Sequence, residues 1–198
     1  MITKYRPNPD ARDFAARAEQ DERDGLKVQA AVFSDRESKA YFDVALARRG
    51  VQPVWIRVEN SSARPYRLDL FGLDPGYFTP LEAAAICHFS VGKRMISFGM
   101  LGWMFLILLP LLPTKLISAA RANDRMNQFF KEHGFRFGPI QPGNSREGVA
   151  FTSLDEGVKN VHLRFLSGPQ VVEFDFSMEV PGLLVRPEFD LPDGKQAQ

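Results

Sequence analysis

From Leu26 to Leu70 the apolar residues of this chain recur at every second position, the spacing at which a strand sends alternate side chains to one face. Val28, Ala30 and Val32 make the first such run, and Ala40, Phe42, Val44 and Leu46 the second, which stops at Gly50. Val54, Ile56 and Val58 follow, with Trp55, Arg57 and Glu59 on the opposite face; after the turn-forming Asn60, Ser61 and Ser62 come Tyr66, Leu68 and Leu70. The alternation returns near Gly148 with Val149 and Phe151, then Val161, Leu163 and Phe165. A Ser167-Gly168-Pro169 turn leads into Val172, Phe174, Phe176, Met178 and Val180, opposed by Glu173, Asp175, Ser177 and Glu179, so this last strand is dry on one face and acidic on the other. Seven short strands separated by turn signals predict an immunoglobulin-like β-sandwich, mainly β, interrupted by a helical insertion.

The helical signals lie before and between the strands. Asn8-Pro9-Asp10 reads as a helix start and Gly25 as its stop, which predicts a charged helix over 9–24 within an N-terminal unit 1–25; Phe14, Ala15 and Ala18 give it only a thin apolar strip. Residues 26–71 and 135–182 then form the two halves of one sandwich, 72–134 the insertion, and 183–198 a flexible tail. Within the insertion, Asp74-Pro75-Gly76 is a turn, and Thr79-Pro80-Leu81-Glu82 is a capping box with proline in the first helical turn. Leu81, Ala85, His88 and Phe89 share one face of the helix that follows, which ends or bends at Gly92. A second helix, KLISAARANDRMNQFFKEHGF, stops at Gly134 with Phe135 closing the cap; Leu116, Ala120, Asn127 and Phe130, with Ile117 and Met126, form its apolar side.

Between these helices run twenty residues without a charge, Met95 to Thr114. As a helix they would rise about 30 Å, the thickness of a bilayer's hydrocarbon core. Met95, Phe98, Leu101, Trp103, Phe105, Leu108, Pro110 and Pro113 are distributed all round, unlike the single stripe of a core helix, and Lys93, Arg94 and Lys115 bracket the run where cations reach lipid phosphates. A single crossing would separate the early strands from the late ones. A second crossing by 114–133 would bury Arg121, Asp124, Arg125, Lys131 and Glu132 at about 2.5–3.5 kcal/mol for each central charge. The favoured arrangement is therefore a segment that dips into one leaflet and returns, turning near Pro110 to Pro113, with the 116–133 helix in or above the interface. Gly99, Gly102 and Ser97 would admit a second helix closely.

The totals narrow the field further. A length of 198 residues allows one core plus an appendage, and a net charge of +1 supplies no global field for nucleic acid. The single cysteine, Cys87, precludes an intrachain disulfide. The N-terminal residues lack a basic segment followed by an apolar run, so the internal run is expected to deliver the protein to the membrane, with the sandwich on the cytoplasmic side of an inner membrane.

No catalytic, cofactor-binding or metal constellation is legible. His88, His133 and His162 have no ligand spacing, Cys87 and His88 diverge on their helix, and Asp155 with Glu156 reads as a hairpin turn. The densest set of special residues is Asp74, Tyr77, Phe78 and Glu82, where sandwich meets insertion, a candidate binding patch at the lipid surface. GVQPVWIRVENSSARPYRL with GLDPGYFTPLEAA, and GVAFTSLDEGVKNVHL with EVPGL, resemble uncharacterised bacterial envelope-associated proteins with a β-sandwich core; the resemblance implies the fold and brings no activity with it. The expected function is a noncatalytic, membrane-anchored interaction or assembly module whose partners are membrane lipid and a membrane protein or a second copy. Seventeen Phe raise the alternative of a lipid-binding or lipid-modifying protein, and a helix-lined oligomeric channel stands third.

Overall fold

A computed structural model of the chain describes residues 4–88, 112–155 and 157–180. Its strands are β1 (Glu19–Arg23), β2 (Leu26–Val32), β3 (Val51–Asn60), β4 (Arg67–Leu68), β5 (Ser145–Ser153), β6 (Val158–Ser167) and β7 (Gln170–Glu179). The helices are α1 (Asp35–Phe42), α2 (Leu70–Leu73), α3 (Pro80–Cys87) and α4 (Leu112–His133), with 3-10 turns at Asp13–Arg17 and Ala47–Arg49. The chain is mainly β. Two antiparallel sheets, ordered β1-β2-β3-β5 and β4-β6-β7, draw strands from both halves of the sequence.

The period-two pattern explains how the layers pack. In the first sheet Ala30 pairs with Ile56 and Ile56 with Gly148, so Val28, Ala30, Val54, Ile56, Val58 and Ala150 all turn toward the second sheet. There they meet Val161, Leu163, Phe165, Phe174 and Phe176. The intervening residues of the first sheet, Ala31, Trp55, Val149 and Phe151, turn the other way and are buried as well. They lie under α1, α3 and α4, which makes three layers: sheet, sheet, helices. Phe14, Phe33, Tyr41, Phe42, Phe129, Phe130 and Phe151 fill this second interface, with Phe130 and Phe151 stacked at 5.2 Å between centroids. Offset aromatic pairs add about 0.5–1.5 kcal/mol to the area they bury.

The path between sheets is set at Asn60. Its buried side chain donates to the carbonyls of Arg64 (2.7 Å) and Ile140 (2.9 Å) and accepts from the Ser62 hydroxyl at 2.6 Å. An immunoglobulin constant domain sends its third strand to the second sheet. Here the third strand stays beside the second, and the fourth crosses at the Asn60 corner.

Four expectations are corrected. The helix over 9–24 is a short 3-10 turn followed by strand β1, which pairs with β2 from Glu19↔Ala30 to Arg23↔Leu26; the open edge of β2 needs partners for its amides more than this weakly amphipathic segment needs to be helical. The strand over 40–46 is α1 and the loop after it. Ser34 accepts from the Glu37 amide while Glu37 accepts from the Ser34 amide, a capping box that starts a helix, and Asp43 at φ 58° ends it. The buried side of α3 is Ala83, Ala84 and Cys87, leaving Leu81 and Ala85 outside. On α4, Ala120 is exposed while Ala119, Ala122, Met126, Phe129 and Phe130 are buried, because this helix lies on the first sheet.

Among the described residues no helix is long and apolar enough to cross a membrane. Lys93, Arg94, Met95, Phe98, Leu101, Trp103, Phe105, Leu108, Pro110 and the tail 183–198 lie outside those residues. Pro113 and Lys115 fall in the first turns of α4.

Candidate functional site

The Asp74-Pro75-Gly76 turn lies beside the end of β5, and Asp74 organises it. One carboxylate oxygen accepts the Gly76 amide at 2.6 Å. The other accepts the Ser153 amide (3.0 Å), the Ser153 hydroxyl (2.8 Å) and the Lys159 ammonium (3.1 Å). Lys159 completes its three donors on the Ser153 carbonyl at 2.9 Å and the Asp155 carboxylate at 3.0 Å. Burial pushes the Asp74 carboxyl upward, but the bonds from Gly76, Ser153 and Lys159 outweigh it and hold the group below the ordinary carboxylate range. A carboxylate so held is a poor proton acceptor. The cluster fastens loop to sheet, and the hydroxyl of Ser153 is committed to Asp74.

The other three members of the candidate patch have local duties too. The Tyr77 ring packs edge-on against Phe137 at 5.3 Å, and burial, with Glu82 nearby, pushes its hydroxyl up to about 12. The Phe78 amide donates to the Phe151 carbonyl at 2.8 Å, which attaches the chain to the edge of β5 just before α3. Glu82 completes the capping box, accepting from the Thr79 amide at 2.8 Å while Thr79 accepts from the Glu82 amide. Those bonds hold its carboxyl below the ordinary value. The four residues share one segment, with Asp74 buried, Tyr77 and Phe78 half-buried and Glu82 exposed.

The sequence pattern overlooked Lys159, although a signal for it was present. Val161, Leu163 and Phe165 mark the inward face of β6, and the same period carried back one step falls on Lys159. A lysine on a core face demands a carboxylate.

The histidines are dispersed. His88 Nε2 lies 2.7 Å from Asn127 Oδ1 and ties α3 to α4, His133 Nδ1 lies 2.9 Å from the Phe129 carbonyl, and His162 Nδ1 lies 2.6 Å from Asp175 on the outer face of the second sheet. Cys87 is buried, and burial pushes its thiol up to about 11. Among the described residues no group of three or more His, Cys, Asp or Glu could hold a metal ion. Of the seventeen phenylalanines that suggested a lipid cavity, Phe14, Phe33, Phe42, Phe129, Phe130 and Phe151 pack in one cluster between the first sheet and the helices.

The two insertion helices run in opposite directions. Pro80 at the start of α3 lies against Gly134 at the end of α4, whereas His88 at the end of α3 meets Asn127. Leu112 is fifteen residues back from Asn127 along α4, about 22 Å of helical rise. The chain therefore leaves α3 and re-enters α4 on the same side of the domain. No protein-family model matches the chain, and no curated protein matches it either.

Proposed function

We propose that this protein is a noncatalytic, membrane-anchored interaction module, a two-sheet β-sandwich held at a bilayer by the uncharged run 95–114. The observation that carries the reading is the antiparallel pairing of α3 and α4, with His88 on Asn127, because the chain leaves α3 and re-enters α4 on one side of a single domain. A segment that dips and returns satisfies that geometry; a single crossing does not. The satisfied state of the Asp74–Lys159 cluster argues in the same direction, since its groups are already engaged with one another. Partners on this reading are lipid and either a membrane protein or a second copy of the chain.

Expression of the full chain and fractionation at high salt tests it. The protein should sediment with membranes and, after gentle solubilisation, copurify with a stoichiometric partner or as an oligomer. Leu101→Arg with Leu108→Arg adds about 5–7 kcal/mol of insertion cost at central positions and should release the chain to the soluble fraction. Wild-type protein found wholly in the soluble fraction overturns the anchor, and a strictly monomeric membrane species overturns the interaction role.

A further inference from the structure

At one end of the first sheet Val51 pairs with Ser153, where the Ala47–Arg49 turn enters β3 and the chain leaves β5 at Leu154. The C-terminus of α3 reaches the same end, because the Arg49 guanidinium donates to the Ile86 carbonyl at 3.1 Å. Ile86, Leu154 and Val158 are exposed large apolar side chains at this end, 37%, 39% and 42% accessible. Arg48 and Arg49 are exposed beside them. The acidic groups nearby are balanced in part, Asp155 by Lys159 and Asp35 by Arg48, while Glu179 faces Val158 across the second sheet.

We infer that this end of the sandwich rests on the bilayer surface, with Leu154 and Val158 in the interface and the Arg48 and Arg49 side chains at the depth of the lipid phosphates. The inference builds on the anchored reading above. Its independent support is the coincidence at one end of exposed apolar side chains, flexible cationic stems able to reach upward from apolar surface, and the C-terminus of α3, which precedes the uncharged run in the chain. A tether starting a few residues beyond Ile86 keeps lipid at high effective concentration against this end and not the other. With Arg48 and Asp155 already held in ion pairs, the contact is apolar first, so neutral phosphatidylcholine should support it as well as mixtures containing phosphatidylglycerol.

The full chain carrying Leu154→Cys, Val158→Cys or Val171→Cys, each labelled with an environment-sensitive fluorophore, provides the test. Val171 is 49% accessible and lies beside the Ser167–Gln170 reversal at the opposite end. Buried Cys87 is left in place, and unmodified protein taken through the labelling gives the background. With phosphatidylcholine vesicles, labels at 154 and 158 should shift to the blue and be quenched by lipids spin-labelled near the headgroup, while the label at 171 should stay in water. Flotation with the vesicles while 154 and 158 keep a water-like emission overturns the docking surface and leaves the anchor standing. An equal shift at 171 overturns the orientation. Failure to float overturns the anchor and this inference together.

Discussion

Lys159 Nζ sits 3.1 Å from Asp74 Oδ2, with the two side chains only 3% and 7% exposed. Removing one member of a buried pair leaves the other's charge desolvated, an effect of about 3–5 kcal/mol. Lys159→Met should therefore lower the unfolding free energy by about 3 kcal/mol, toward the low end because Gly76 and Ser153 still donate to Asp74. The double variant Asp74→Asn with Lys159→Met should lose less than the sum of the single losses, which urea denaturation of all four proteins would measure. Strict additivity would show that the pair is not coupled.

Acid should act through the same carboxylate. The folded-state pKa of Asp74 is depressed, as is that of Glu37, where burial is outweighed by bonds from Arg17 and Ser34. Groups depressed on folding contribute stability that is complete above their unfolded value, near 4, and is lost as pH falls through the folded one. The wild-type melting temperature should stay level on the neutral side and drop below about pH 4, and Asp74→Asn should flatten part of that drop. An unchanged acid limb in the variant would remove Asp74 from the account.

Gly148 marks a close crossing of two segments of backbone. A Cβ there would come within 2.6 Å of the Phe135 Cα and 2.8 Å of its amide nitrogen, because the chain leaving α4 is hydrogen-bonded along β5, Phe135 amide to Val149 carbonyl at 2.9 Å. Both neighbours are backbone and cannot swing aside. Gly148→Ala should destabilise by about 1–3 kcal/mol through overpacking, read by chemical denaturation with circular dichroism. Wild-type stability in the variant would mean that the crossing is looser than described.

Cys87 offers a direct probe of the helical layer. Its thiol is buried and raised to about 11, so at pH 8 it should resist a disulfide reagent in the native protein and react fully in guanidinium. Asn127→Ala, by releasing His88, should speed the native reaction by loosening α3 from α4. Rapid labelling of the untouched protein would show that this layer opens readily.

Alternation of apolar residues was sufficient to locate β2, β3 and β5 to β7, and Thr79 with Glu82 to locate the start of α3, because strand period and cap chemistry are local properties. The candidate patch was found as a segment, but its geometry was not: Asp74 points inward because Ser153 and Lys159, some eighty residues away in the chain, wait for it. The same limit applies to α1. Its Ser34 and Glu37 cap was readable, yet the two-residue rhythm of Phe42, Val44 and Leu46 outweighed it, and that rhythm arose from a helix end followed by a loop packed into the same core.

The order of residues was enough to show the periodicity of the strands, the caps of the insertion and the uncharged stretch between Met95 and Thr114. It took the folded chain to make Glu19–Arg23 an edge strand, to lay α4 on the first sheet and to bury Lys159 beside Asp74. The physical reason is range. A cap or an alternating face is a matter of neighbours in the chain, whereas an open sheet edge or a buried charge can be answered only by whichever distant segment folding brings against it.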